Sequence, residues 1–220
     1  MKKFMLRKSF LHQLNELDEK INLMSQMVDN IFKNTIDALL LMDMDESKKV
    51  MEFDDEIDNL HHQIERQCID ILALQQPLAS DLRKIASFLK IINDIERIAD
   101  QCCDICNIIC TGEMDKDMIL LSGVVDMLKK VYNIYFDTIS ALKNKDEISA
   151  VKIRTMDDDI DKAFLDIVVR ICDHISESRS KVKKEVDLIF IAKYIERIAD
   201  HCMNISIWIV YMQTGLHEIL

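Results

Sequence analysis

The stretch Ile95-Glu-Arg-Ile-Ala-Asp100 recurs unchanged as Ile195-Glu-Arg-Ile-Ala-Asp200, one hundred residues later in a chain of 220. A second match lies before it at a shift of 103, where residues 28–58 and 131–161 share 13 identities in 31 positions. Unrelated sequences of average composition would share about two. The change of shift falls in a predicted connection, where length differences are tolerated. The chain is therefore an internal duplication.

The two copies divide the chain into unit one, residues 1–112, and unit two, residues 113–220. In each unit apolar residues step by three and four along one segment, from Phe88 to Ile109 and from Leu188 to Ile209. This is the stripe of a helix packed in a bundle. With only 3 Gly and 1 Pro, the chain lacks the turn residues of a β-rich fold. The sequence predicts an all-α protein of two pseudo-symmetric, antiparallel three-helix bundles.

Turn and capping residues predict three helices in each unit. Asp43 and Asp146 each follow a first helix and are expected to N-cap the second. A Thr-Gly pair, beginning at Thr111 and at Thr214, closes each third helix, with Gly suited to the left-handed position after it. Pro77 marks the connection between the second and third helices of unit one, as a proline beside the first turn of a helix would. The predicted helices cover residues 10–42, 44–74, 78–111, 115–143, 147–176 and 181–213.

Composition and charge exclude several classes of protein. The formal net charge of −11 opposes general binding to nucleic acid or to anionic lipid. No apolar run approaches the ~18 residues that a membrane span needs, and the basic N-terminus has no apolar signal-peptide core. We therefore expect a cytoplasmic protein that meets membranes only through partner proteins. The seven cysteines, an odd number, are expected to be reduced thiols.

Four pairs of acidic residues are spaced four apart, so that each pair shares a helix face. The pairs recur at equivalent places in both units. In a helical hairpin, residues equally far from the turn lie opposite each other, and the pairs are centred on position 77 in unit one and on 178.5 in unit two. We expect each unit to present four carboxylates at one level. They are Asp54, Asp58, Glu96 and Asp100 in unit one, and Asp157, Asp161, Glu196 and Asp200 in unit two.

These carboxylates have two possible explanations. Convergent carboxylates repel each other unless they are protonated, paired with a cation or bound to a metal. Arg97 and Arg197 adjoin the pairs and could neutralise them. Alternatively, an all-oxygen site suits hard cations such as Mg, Mn, Ca or Fe. We favour metal binding, with all eight carboxylates as ligands.

The run Ile71-Leu-Ala-Leu-Gln-Gln-Pro-Leu-Ala-Ser-Asp-Leu-Arg83, followed by the hexapeptide that ends at Asp100, resembles the PhoU family of phosphate-uptake regulators. The duplicated Asp-x-x-x-Asp and Glu-Arg-Ile-Ala-Asp-His motifs resemble the same family. The resemblance extends from about Phe10 to Gly215. It implies two pseudo-symmetric three-helix bundles whose acidic motifs bind Fe, Zn, Mn or Mg, which corresponds to the eight carboxylates.

The resemblance also implies a function. The chain would be a cytosolic negative regulator of phosphate uptake and of phosphate-starvation signalling, acting as a homodimeric adaptor. Its partners would be the ATPase of the phosphate-specific ABC transporter and a membrane sensor histidine kinase. The sequence departs from the family at Gln101, where the family often has His, as at His201 in unit two. Unit two also has Lys181, Lys183 and Lys184 in place of the Gln-Gln-Pro loop.

Other functions compete with this one. We expect no enzyme, because the sequence has no Gly-rich phosphate loop, no H-E-x-x-H and no G-x-S-x-G. One alternative is a metal-handling or di-metal oxidase bundle, and another is an accessory protein of a different phosphate carrier. The histidine His61 is expected at the surface.

A cluster of thiols could also bind a soft metal, because Cys103 and Cys106 form a C-x-x-C motif beside Cys102 and Cys110. However, Cys102 and Cys202 occupy positions in the apolar stripes. Free cysteine packs as a small core residue. We therefore interpret the thiols as core residues.

Overall fold

The computed structural model describes residues 2–75, 77–112, 114, 116–177 and 182–216. These residues form eight α-helices and a 3-10 turn at Arg154–Met156, with no strand among them. The predicted all-α class is therefore confirmed. The helices are α1 (Lys2–Leu41), α2 (Met44–Gln75), α3 (Ala79–Thr111), α4 (Lys116–Ser122), α5 (Val124–Asn144), α6 (Glu147–Ile153), α7 (Asp157–Glu177) and α8 (Val182–Thr214).

Unit one has three long helices, whereas the first two predicted helices of unit two are interrupted. Gly123, with a left-handed φ of 89°, separates α4 from α5. The 3-10 turn separates α6 from α7. The prediction of uninterrupted helices over 115–143 and 147–176 was therefore wrong, because an isolated Gly is often tolerated inside a helix and is a weak signal of a break. The first helix of the chain also starts at Lys2 and not at residue 10.

Both predicted N-caps are confirmed. The Oδ1 atom of Asp43 accepts hydrogen bonds from the backbone N–H groups of Asp45 and Glu46, both at 3.0 Å. The Oδ1 atom of Asp146 accepts equivalent bonds at 3.1 Å from the residues that begin α6. Each cap satisfies N–H groups that have no partner within the helix. The same signal therefore starts the second helix of both units.

The third helices end where the sequence predicts, at Thr111 and Thr214. Only Gly215 takes the expected left-handed backbone, with φ 75°, whereas Gly112 is extended with φ −80°. Pro77 lies in the connection before α3, as predicted. The expected starts of the fourth and sixth helices, and the turn around position 178.5, lie outside the described residues.

The stripes of α3 and α8 form the centre of the molecule. Each of their residues is at most 2 % exposed. Asp94 on α3 contacts His201 and Asn204 on α8, whereas Asp104, ten residues later, interacts with Arg197. The two helices therefore run antiparallel, and they pack against each other as extensively as α2 packs against α3. One continuous apolar core joins the two units.

Equivalent residues of the two units meet each other near this centre. The hydroxyl of Tyr132 donates to Asp29 Oδ1 at 2.9 Å, and the rings of Phe32 and Tyr135 lie 5.7 Å apart. The members of each pair are 103 positions apart, which is the shift of the sequence repeat. A residue that contacts its own counterpart lies beside a two-fold axis, so the duplication is expressed as pseudo-two-fold symmetry. Among the described residues no helix is long and apolar enough to cross a membrane.

Candidate metal centres

The four predicted carboxylates of unit one lie together between α2 and α3. Burial, followed by the negative charges of Asp100 and Asp58, raises the pKa of Asp54 to about 6. Burial and the charge of Asp100 also raise the pKa of Glu96. The effects of the neighbouring charges require the carboxyl groups to lie near one another, because water screens distant charges. We call these four residues cluster one.

Two oxygen atoms of cluster one are unsatisfied. The Oδ1 atoms of Asp54 and Asp58 are buried and accept no hydrogen bond. A buried acceptor without a partner costs about 1–3 kcal/mol, and more when it is charged. These two oxygens therefore destabilise metal-free cluster one, and a cation bound to them would remove that cost.

A single arginine faces cluster one. The Nη1 atom of Arg97 donates to Asp100 Oδ2 at 2.6 Å, and its Nε lies 3.5 Å from Glu96 Oε2. The Arg97 side chain is 58 % exposed, so this pairing contributes little to stability. Arg97 thus contacts two of the four carboxyl groups, and the negative charge of cluster one is only partly neutralised.

The carboxylates of unit two form a second group at the equivalent place. Burial, followed by the charges of Glu196 and Asp157, raises the pKa of Asp200 to about 6, and Asp161 adds to the effect. Burial and the neighbouring carboxylates also raise the pKa of Asp157. We call these four residues cluster two. Its cation is Lys193, whose Nζ lies 2.5 Å from Glu196 Oε2.

Glu96 and Asp100 of cluster one contact Arg97, and Glu196 of cluster two contacts Lys193. Within the described residues, no group of three or more His, Cys, Asp or Glu side chains is arranged to hold a metal ion. Binding a metal would require the carboxylates to rotate away from Arg97 and Lys193. The structure thus brings the eight predicted residues into two groups of four without assembling a coordination sphere.

A water-accessible cavity of about 540 Å³ lies at the junction of the two units, beside cluster one. Asp54, Asp100 and Cys103 line it, together with Arg97, Arg197 and His201. Arg97 pairs with its own cluster, as the alternative to metal binding proposed, whereas Arg197 interacts with Asp104 of the other unit. Burial raises the pKa of Asp104, and the charge of Arg197 lowers it by less.

Sequence reasoning missed Asp94. Its Oδ1 pairs with Nδ1 of His201 at 2.9 Å and accepts a bond from Asn204 at 3.3 Å. Asp94 belongs to no acid pair at a spacing of four, and its partners lie in the other unit. Only the antiparallel packing of α3 on α8 brings them together, so no local pattern could have indicated this contact.

The thiols are mostly core residues. All seven cysteines are free, and Cys102, Cys106 and Cys202 are fully buried, with burial raising the pKa of each. Cys103 differs, because it lines the central cavity and its thiol contacts Asp54 of cluster one. Its pKa is also raised by burial, which keeps the metal-free thiol protonated.

Comparison with known proteins identifies the family. The PhoU domain profile matches the chain twice, over residues 21–109 and 124–209. The chain belongs to the PhoU family. The two matches fall one in each unit, in agreement with the duplication predicted from the sequence.

Relatives in two bacteria match almost the whole length of the chain. The chain is 31 % identical over 212 residues to the "Phosphate-specific transport system accessory protein PhoU homolog" of Clostridium acetobutylicum. This match covers 96 % of this chain and 97 % of the relative. The chain is 28 % identical to the "Phosphate-specific transport system accessory protein PhoU" of Escherichia coli, over 94 % of this chain and 86 % of the relative.

Solved structures of PhoU proteins share the fold. The crystal structure of PhoU from Pseudomonas aeruginosa superposes with a TM-score of 0.87 at 24 % identity, covering 94 % of this chain and all of that one. PhoU from Streptococcus pneumoniae superposes with a TM-score of 0.86 at 23 % identity, over 96 % of this chain and all of that one. The predicted two-bundle architecture is therefore confirmed.

Gln101 and His201 have different surroundings, although they occupy equivalent positions of the two units. Gln101 is 6 % exposed, and its Oε1 atom accepts no hydrogen bond. Its counterpart His201 is held by Asp94.

His61, expected at the surface, is half-buried and its Nε2 lies 2.7 Å from Asn93 Oδ1. The imidazole lies near Glu96 and lowers the pKa of that carboxyl, against the larger effect of burial.

Proposed function

We propose that this protein regulates phosphate transport and phosphate-starvation signalling by binding other proteins, without catalysing a reaction. The observation that carries the proposal is the pair of symmetry-related carboxylate clusters in a chain whose relatives are named phosphate-specific transport system accessory proteins. Metal ions bound to the two carboxylate clusters would make the surrounding surface rigid. A rigid surface of this kind can bind one state of a partner protein and stabilise it.

In this proposal the eight carboxylates hold divalent or iron-type ions, with Fe, Zn, Mn and Mg as candidates. The chemistry of the donors suits such ions once the side chains rotate toward a common centre, because the donors are all oxygen atoms and Asp54 Oδ1 and Asp58 Oδ1 lack any hydrogen-bond partner. A bound cation would supply positive charge that offsets the repulsion within each cluster. Arg97 and Lys193 would then be released for contacts with other molecules.

The partners in this proposal are the ATPase of a phosphate ABC transporter and a sensor histidine kinase, met at the cytoplasmic face of the membrane. The protein acts there as a homodimer and favours the inactive state of its partner when phosphate is plentiful. A stoichiometric effector of this kind needs only a difference in affinity between the two states of the partner.

The first test is a phosphate-starvation reporter in a strain that lacks the protein, grown in ample phosphate. We expect the reporter to be constitutively on and the wild-type protein to restore repression. A variant with Asp54→Asn and Asp58→Asn is expected to repress poorly and to lose the metal of cluster one. The matched control is Glu52→Gln with Glu56→Gln, an exposed acid pair on the same helix.

The outcomes separate the proposal from its competitors. A reporter that stays off in the deleted strain contradicts the regulatory role. Oxygen consumption by the purified protein on adding ferrous iron would indicate a di-metal oxidase. Purification together with a different phosphate carrier, and not with the ABC transporter, would assign the protein to that carrier. Equal metal content in the cluster variant and its control contradicts the assignment of the ligands.

A further inference from the structure

Unit two contains a cavity of about 260 Å³ between α4, α7 and α8. Ionisable and apolar side chains line it together, among them Asp117, Arg170, Ile171, His174, Glu185 and Leu188. None of these residues belongs to either carboxylate cluster. The cavity is therefore a separate feature, and a ligand bound there would be independent of the proposed function.

The same place in unit one is solid core. At the shifts of the repeat, the counterparts of Asp117, His174 and Glu185 are three apolar residues that are at most 4 % exposed, namely Leu14, Ile71 and Ile85. Of the three ionisable residues of unit two only Glu185 is buried, whereas Asp117 and His174 are exposed. A buried polar group costs stability unless it has a partner.

Contacts within the two units support this equivalence. In unit one, Lys20 Nζ donates to Gln67 Oε1 at 2.8 Å. In unit two, the counterparts are Gly123 and Arg170, and a Cβ atom added to Gly123 would lie 3.1 Å from Arg170 Nη1. The same two positions are therefore neighbours in both units, and the register of the repeat extends to the cavity.

The break at Gly123 accounts for the opening. Arg170 Nη1 donates to the carbonyl oxygens of Leu121 and Ser122, both at 3.1 Å, and so holds the C-terminal end of α4. The helix α4 packs against α1, α5 and α7, whereas the continuous α1 of unit one packs directly along α3. The redirected helix leaves the space that the cavity occupies.

Glu185 gives the cavity its chemical character. Glu185 is only 4 % exposed, and its Oε2 atom has no hydrogen-bond partner. Among the described residues no Lys or Arg forms an ion pair with it. Two carboxyl groups, those of Glu185 and Asp117, line the cavity against one guanidinium, that of Arg170, whose Nη1 donates to two carbonyl oxygens of α4. The lining therefore favours a cation over an anion.

We propose that this cavity binds a small organic cation, an ammonium group on a short apolar stem. The ammonium would donate to Glu185 Oε2, and the stem would pack against Ile171 and Leu188. A divalent metal fits less well, because no three Asp, Glu or His side chains of the described residues converge on a common point. A buried carboxylate is stabilised by a charged hydrogen-bond donor.

Isothermal titration calorimetry on the full chain tests this proposal, with n-butylammonium chloride as the probe. We expect saturable binding with a Kd on the order of 1 mM, as suits a ligand with so few atoms. Sodium butyrate and n-butanol have similar stems without the positive charge and are expected not to bind. Glu185→Gln should weaken binding of n-butylammonium at least tenfold, whereas Asp166→Asn, an exposed charge on α7, should leave it unchanged.

Several results would overturn the proposal. These are the absence of saturable binding of n-butylammonium, binding of n-butanol with equal affinity, and equal affinity in wild type and Glu185→Gln. If Glu185→Gln does not fold, Glu185→Ile replaces it, because Ile is the residue that packs at this position in unit one. A capped lysine derivative shows whether the ammonium belongs to a free amine or to a lysine of another protein, according to which probe binds more tightly.

Discussion

The two units of this chain are alike at the centre of the molecule and different at its ends. At the centre, the buried stripes of α3 and α8 face each other and equivalent residues such as Asp29 and Tyr132 touch. At the end, unit one has a closed apolar core around Ile85, whereas unit two has a cavity around Glu185. The two units thus remain similar where they pack against each other and differ where each unit packs only against itself.

The carboxylate clusters show a subtler difference. Asn93 in unit one pairs with His61, whereas its counterpart Lys193 lies over the ring of Phe164, the counterpart of His61, and reaches cluster two. Cluster one is instead partly neutralised by Arg97. The two sites therefore have the same acids and different cations, and we expect them to bind metals with different affinities.

The largest expected effect comes from exchanging the residues that close or open the core. Ile85→Glu would bury an unpaired carboxylate at a fully buried position and is expected to lower the free energy of unfolding by about 3 kcal/mol or more. The opposite exchange, Glu185→Ile, removes an unsatisfied acceptor and is expected to raise it by about 1 kcal/mol. Urea denaturation measures both values. Similar losses in the two variants would contradict the difference between the ends.

A smaller effect is expected at the helix break. Gly123→Ala forces a side chain into a left-handed φ of 89° beside Arg170, and we expect it to lower the free energy of unfolding by about 1–2 kcal/mol. Lys20→Ala at the equivalent position of unit one, in a continuous helix, should cost no more than about 0.5 kcal/mol. Thermal unfolding of both variants under one condition gives the comparison. Equal costs would show that the break places no special demand on Gly123.

Part of this fold could be predicted from the sequence because the signals are local. The stripe from Phe88 to Ile109 shows its helix by periodicity alone, and Asp43 and Asp146 cap helices through neighbouring N–H groups. The grouping of four carboxylates in each unit followed from hairpin geometry. Whether those side chains turn toward a metal or toward Arg97 depends on the rotation of each helix about its axis, which only tertiary packing determines.

The sequence contains one signal of the cavity in unit two, but helical periodicity does not reveal it. Aligning the repeats places Glu185 on Ile85, a charged residue on a core position. A substitution of this kind is a signal of divergence, but it does not say whether the charge moves to solvent or stays inside. The structure answers that question, because Glu185 stays inside and is only 4 % exposed.

A change in metal affinity is the next effect in size, and it rests on the proposed metal sites. Lys193→Asn installs the residue of unit one and removes the cation that competes at Glu196. We expect Mn²⁺ to bind cluster two roughly fivefold more tightly, since a partly exposed ion pair is worth about 1 kcal/mol. The converse change, Asn93→Lys, should weaken binding at cluster one. Calorimetric titration with Mn²⁺ measures both, and affinities that do not change would contradict a competing role for Lys193.

The smallest expected effect is the dependence of metal-free stability on pH. The pKa of Asp54 is raised from 3.8 to about 6, first by burial and then by Asp100 and Asp58. A group whose pKa is higher in the folded state stabilises the fold below its unfolded pKa, and this contribution is lost as pH rises through the folded value. Asp54→Asn keeps the side chain neutral at every pH. In EDTA, the Tm of Asp54→Asn minus that of wild type should therefore grow between pH 4 and pH 7, by roughly 1–3 °C, whereas the corresponding difference for the exposed Glu52→Gln should stay constant. A difference for Asp54→Asn that does not vary with pH would mean that neither burial nor the neighbouring carboxyls raise the pKa of Asp54 in the metal-free protein.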